Sequence, residues 1–154
     1  MALLSLVYAP DPIFKKKAKP VQKMDDSIRA LVDDMFETLE YEKGVGMGAN
    51  MVGVLKRIAI VDLHEDGISR PYTFINPEIF WHSDAMQEHE EASLCFAEIS
   101  AGIKRPKSIK IRYLDYDGEE QELEAEGFFA SVIQHEVDYL DGITFLDHLS
   151  KMTA

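Results

Sequence analysis

An α+β fold is predicted, and three observations predict it. An amphipathic helical stretch lies near the start, an apolar helical stretch lies near the end, and between them come strand-like runs broken by turn dipeptides. With 154 residues, 46% of them hydrophobic, residues 1–154 are enough for one domain with a core and too few for two of ordinary size.

The opening MALLSLVYAP is apolar without a preceding basic residue, so it reads as a strand and not as a signal peptide. The basic run Lys15 to Lys19 reads as a solvated turn. From Asp26 to Glu42, the residues Ile28, Leu31, Val32, Met35, Phe36 and Leu39 recur at spacings of three and four, which predicts a helix. Asp25 or Asp26 is its expected N-cap, and Gly44 closes its end. Residues 44–53 are rich in glycine and are expected as an extended loop where backbone approaches something closely.

Strands are expected at 58–63 and 72–80, joined by a turn-bearing loop. A hairpin follows from 108–116 and 119–126, which flank Asp117-Gly118. A final helix is predicted from Gly127 to Gly142, burying Phe128, Phe129, Val132, Ile133, Val137 and Leu140.

Composition excludes several function classes. The net charge of −12 disfavours a nucleic-acid partner, because phosphate binding relies on clustered cations. The single cysteine, Cys95, forbids an intramolecular disulfide and fits a reducing cytoplasm. No stretch approaches the roughly 20 apolar residues that a membrane span needs.

The chemistry-bearing residues sit on the last helix. His135 and Tyr139 are four apart and share a face, with Glu136 beside them. An HExxH helix presents two imidazoles to a metal and its glutamate to the bound water. Here the second imidazole position is a tyrosine. The His-Glu pair alone is a weak signal, since His64-Glu65 and His89-Glu90 repeat it in the same chain.

Wider motifs add to this. QHEVDYLDGITFLDHLS, GVGMGANMVG, EASLCFAE (91–98) and APDPIFKKKAKPV together resemble peptide deformylase, from about Leu6 to Ser150 and in the family's order. That resemblance implies removal of the formyl group from the N-terminal formyl-methionine of new polypeptides by a divalent metal, Fe2+, Zn2+ or Ni2+. It places His135, Ser93 and Tyr139 at the three metal-ligand positions. Glu136 falls at the acid/base position, and Leu94 supplies a backbone N–H to the oxyanion. Met51 stands where the family has an oxyanion-stabilising glutamine, and Ala92 replaces a family glycine. The substrate groove implied is bordered by Val45, Gly46, Glu91, Leu94, Phe128 and Val132.

The departures remove needed chemistry. A serine hydroxyl supplies neither the charge nor the softness of a thiolate. A tyrosine ligates as phenolate only if its reference pKa of about 10 is pulled far down. Met51 has no N–H, and an oxyanion donor is worth about 3 kcal/mol.

The resemblance therefore implies a deformylase-like protein that is catalytically impaired or inactive, with no cofactor expected, and that retains binding of N-terminal formyl-methionine peptides. An active deformylase with an altered ligand set is the alternative. A cysteine hydrolase using Cys95 and His135 is a third reading. The family's ribosome contact often uses a basic C-terminal helix, and the tail HLSKMTA leaves that docking mode doubtful. Met47 and Met51 are expected as core or pocket lining. His82, His89 and His148 are expected in structural or solvent-facing places, and Glu88, Glu90 and Glu91 as a solvated edge, although Glu91 aligns with a family glutamate near the cleft.

Overall fold

The periodic apolar stretch forms helix α1, Asp26–Tyr41, with the Asp25 carboxylate accepting from the Ile28 N–H at its start. The structure is a computed structural model that describes residues 2–145, 147 and 148. Residues 149–154, most of the tail considered for ribosome docking, lie outside the described residues. At the end of α1, Lys43 takes the left-handed conformation (φ 57°), while the Gly44 N–H reaches back to the Leu39 carbonyl. Gly44 thus closes the helix as expected, although Lys43 is the left-handed residue.

The glycine-rich segment is also more ordered than a loop. It contains the short strand β1, Gly46–Gly48, and a 3-10 turn, Ala49–Val52. Strand β2, Ile58–Val61, follows, then β3, Tyr72–His82. The pair β4, Met86–Ser93, and β5, Phe96–Pro106, forms a separate two-stranded hairpin that the sequence did not signal. Strands β6, Ser108–Leu114, and β7, Glu120–Glu126, are the hairpin marked by Asp117-Gly118, with Gly118 at φ 85°. Helix α2, Gly127–Leu140, follows.

The five-stranded sheet is antiparallel, in the order β1-β2-β3-β6-β7. Its two faces are both covered, which explains why β2 reads as an unbroken apolar run. Ile58 and Ile60 point into a core shared with α1, and Ala59 and Val61 point into a core shared with α2.

Two expectations fail here. The opening residues are not a strand: they lie along the body, with the Val7 N–H on the Met51 carbonyl and the Ala9 N–H on that of Cys95. Phe128 is 45% exposed and Phe129 half-buried, because both precede the turn of α2 that enters the core. Lys15, Lys16, Lys17 and Lys19 are exposed as expected, while Ala18 packs inward.

Candidate functional site

Helix α2 is buried from Ala130 to Val137, and again at Tyr139 and Leu140, because it is held between the sheet and the β4–β5 hairpin. Its contact with β4 is polar. Gln87 donates to the Gly127 carbonyl (2.6 Å) and to Ser131 Oγ (2.9 Å). His89 Nδ1 lies 3.0 Å from Ser131 Oγ, and His135 Nδ1 lies 2.8 Å from Glu91 Oε1. Four residues of helix rise about 6 Å and two residues of strand about 6.6 Å, so alternate strand residues meet successive turns of the helix.

This register fixes the ring of His135. Glu91 is held on its other side by Arg105, whose Nε and Nη2 donate to its two oxygens at 2.6 and 2.9 Å. Arg105 Nη1 reaches Asp138 Oδ2 at 2.8 Å, and His148 Nε2 lies 2.9 Å from that same oxygen. Burial pushes the Glu91 carboxyl up, but the hydrogen bonds from His135 and Arg105 outweigh it and hold the group below the usual carboxylate range. Glu91 is therefore no part of a solvated edge, whereas Glu88 and Glu90 are exposed as expected.

The other residues predicted for the site do gather around His135. Tyr139 lies flat on its imidazole, with ring centroids 4.7 Å apart and 24° between planes, and Phe145 stacks near it at 5.7 Å. Tyr139 is 1% exposed and packs edge-on to Phe14 and Phe96, as a core aromatic does. Among the described residues its hydroxyl makes no hydrogen bond of proper geometry. Burial pushes the phenol well above its ordinary value, the nearby Ser93 hydroxyl opposes this, and Glu136 adds to it. Ser93 sits at the hairpin turn, where its Oγ accepts from the Cys95 N–H at 3.2 Å.

Glu136 is buried, and among the described residues its Oε1 has no hydrogen-bond partner. Burial, helped by the charge of Glu91 and opposed by His135 and Arg105, raises its carboxyl to about 7. The Cys95 thiol is also buried, and burial helped by the charge of Glu136 pushes it up to about 12. Met51 is 1% exposed, and its Sδ accepts from the Gly48 N–H at 3.3 Å. Among the described residues, no three His, Cys, Asp or Glu side chains gather in a way that could hold a metal ion.

Two cavities open beside these groups, of about 240 and 250 Å3, and share Val45, Ala92, His135 and Glu136 as a common wall. Phe128, Val132 and Glu91 line the first, and Gly46, Met51, Ser93 and Leu94 the second. Gly46 is required by close approach, since a Cβ there would lie 2.8 Å from Glu136 Oε2 and 3.0 Å from Val132. A larger cavity of about 540 Å3 lies between α1 and the loop after β2 and contains none of the predicted site residues.

Sequence reasoning missed Arg105, Asp138 and Asn50. Asn50 is fully buried and donates to the Tyr139 carbonyl at 2.8 Å. Only recognition of the β4–β5 hairpin could have placed Arg105 beside Glu91.

A buried helix that turns an imidazole and a glutamate toward a cleft at a sheet edge has the frame of an HExxH-type hydrolase. The polypeptide deformylase family model matches residues 3–154. A peptide deformylase-like protein of Rickettsia conorii is 57% identical over 147 residues, covering 96% of this chain and 80% of that protein. The peptide deformylase of Phenylobacterium zucineum is 44% identical over 153 residues, covering 99% and 90%. The crystal structure of Ehrlichia chaffeensis peptide deformylase in complex with actinonin superimposes with a TM-score of 0.94 at 40% identity, covering 99% of this chain and 92% of that one. The chain belongs to the polypeptide deformylase family.

Proposed function

We propose that this chain, acting as a single cytoplasmic domain, is a deformylase-like protein in which deformylation is lost or nearly lost while binding of N-terminal peptides persists. The observation that carries this reading is the Tyr139 ring stacked on His135 beside the Ser93 hydroxyl. The residues at the family ligand positions offer one imidazole, one alcohol and one phenol that burial keeps protonated. Such a set does not fit Fe2+, Zn2+ or Ni2+, which the family holds through anionic or imidazole ligands. Glu136 remains in place, yet it has no activated water to deprotonate. Met51 turns its sulfur to Gly48 and gives the oxyanion no donor. The Rickettsia relative, at 57% identity, carries the name deformylase-like, in keeping with this reading.

Peptide binding is supported by the cleft itself. Val45, Phe128 and Val132 offer an apolar wall, and Gly46 keeps the strand edge open to an extended chain. The second reading is an active deformylase, favoured by one observation: a Glu136 carboxyl near 7 suits a general base. Anaerobic metal analysis together with formate release from formyl-Met peptides separates the two. Substoichiometric metal and no formate are expected, and stoichiometric metal with turnover overturns the proposal.

A further inference from the structure

The cavity of about 540 Å3 between α1 and the loop after β2 is marked by its charge. Five of its lining residues are aspartate or glutamate, and none is lysine or arginine. On α1, Asp33, Phe36 and Glu40 follow at spacings of three and four, so a carboxylate, a ring and a second carboxylate share one face, the outer two about 10 Å apart along the axis. Both carboxylates are exposed, and neither has an ion pair among the described residues; Asp33 Oδ2 accepts only from the Tyr116 hydroxyl, at 3.2 Å. The opposite wall carries Tyr72, Tyr113 and Tyr116. Tyr113 is 9% exposed, yet its hydroxyl has no hydrogen-bond partner among the described residues. Burial first, then Tyr72 and the charge of Asp115, push that phenol above its ordinary value, which sets the hydroxyl beside two other groups of the same wall. Asp62 is 5% exposed and is held by Ser69 Oγ at 2.5 Å and by the N–H groups of His64 and Arg70, so a further charge is built into the lining. Arg29, 6.0 Å over the Tyr116 ring, is directed at Asp26 and at the carbonyls of Tyr116 and Asp117.

A concave wall of one sign focuses its field and draws in counter-ions, and aromatic faces attract cations as well. A hydrated inorganic ion uses the charge and not the rings. An aliphatic polyamine uses both, because its ammonium groups suit the carboxylates and its methylene stretches suit the rings between them. We propose that this cavity binds an aliphatic polyamine, with its terminal ammonium groups on Asp33 and Glu40, its methylene chain over Phe36, and an inner ammonium donating to the Tyr113 hydroxyl. The volume lies in the range of small-ligand sites. Nothing in this inference depends on whether the cleft beside His135 holds a metal.

The test is titration calorimetry on the full chain with spermidine, 1,4-diaminobutane and magnesium, at pH 7.5 and about 0.15 M salt, where distant surface charges are screened. One spermidine per chain is expected, bound about tenfold tighter than magnesium and than 1,4-diaminobutane, which is too short to span both carboxylates. Asp33→Asn combined with Glu40→Gln should weaken spermidine by about five- to tenfold, as two exposed ion pairs would. Tyr113→Phe, which keeps the ring, should weaken it by about tenfold, the worth of one hydrogen bond to a charged group. Glu120→Gln combined with Glu124→Gln, both exposed on β7, makes the same change in net charge and should leave spermidine binding unaltered. No binding at millimolar spermidine, several equivalents per chain, or equal weakening in the two paired variants overturns the inference and leaves only the general attraction of an acidic chain. Magnesium that binds as tightly as spermidine overturns the assignment to a polyamine, and an unchanged affinity in Tyr113→Phe overturns the role of that hydroxyl. The comparison of the three cations on the unaltered chain needs no variant, so the inference stays testable even if Tyr113→Phe does not fold.

Discussion

Replacing Glu136 with glutamine should stabilise the chelator-treated fold strongly at pH 8 and by only a fraction of that at pH 5. The carboxyl rises from 4.5 to about 7 on folding, chiefly because burial penalises its charge. Between those values the folded state binds more protons than the unfolded state, so stability falls as pH rises through 7 and is flat beyond it. Moving a carboxyl from 4.5 to about 7 costs the ionised form about 3 kcal/mol at 1.36 kcal/mol per pKa unit, and a glutamine at this site escapes that cost. At pH 5 both side chains are neutral in the fold and the unfolded glutamate is only partly ionised, so the gap should shrink to about 1 kcal/mol or less. Urea unfolding at the two pH values reads the difference as a shift in midpoint with unchanged slope. A variant that is less stable at pH 8, or a gap that is the same at both pH values, refutes the reasoning.

Three further outcomes are expected. Tyr139→Phe should leave metal content unchanged and raise stability by about 1 kcal/mol, since it removes a buried hydroxyl without a partner; a loss of bound metal in this variant would show the phenol to be a ligand. Arg105→Met should cost about 3 kcal/mol or more by equilibrium unfolding at neutral pH, because it strands the buried Glu91 carboxylate. The combined change Ser93→Cys, Tyr139→His and Met51→Gln should recover metal and measurable formate release; a well-folded, metal-free triple variant would mean that the cleft itself has changed shape.

The elements that could be read in the sequence are those whose burial follows hydrophobic period. Helix α1 and strands β6 and β7 bury apolar residues at spacings of 3.6 or 2, β2 and the start of β3 are continuous apolar runs, and the observed bounds of all five lie within two residues of those expected. Strand β4 escaped because its inward positions are Gln87, His89 and Glu91, while Met86 is its exposed apolar residue. An inverted pattern of this kind cannot be told from a solvated strand until its partner is known. That partner is the row Gly127, Ser131, His135 on α2, and the pairing is long-range and polar. Arg105 was missed for the same reason. The positions of His135, Glu136 and Tyr139 were legible through helical spacing, but the stacking of Tyr139 on the imidazole was not, because spacing gives the shared face and not the ring orientation.

On the proposed reading, the polar row also accounts for a site that keeps its frame while its ligand atoms change. In a metal enzyme, a carboxylate behind an imidazole fixes the tautomer and aims the free nitrogen. Here Glu91 performs that positioning for His135 and at the same time ties the hairpin to α2, with Arg105 neutralising it and Asp138 continuing the chain of charges. Cutting any one of these contacts strands a buried charge, a cost that falls on folding whether or not a metal is bound. Ser93, Tyr139 and Met51 are under no such constraint. The serine is satisfied by the Cys95 N–H, the tyrosine by aromatic packing, and the methionine by Gly48. The groups that orient the imidazole are therefore bound to the stability of the fold, while on the proposed reading Ser93, Tyr139 and Met51 are free to become core.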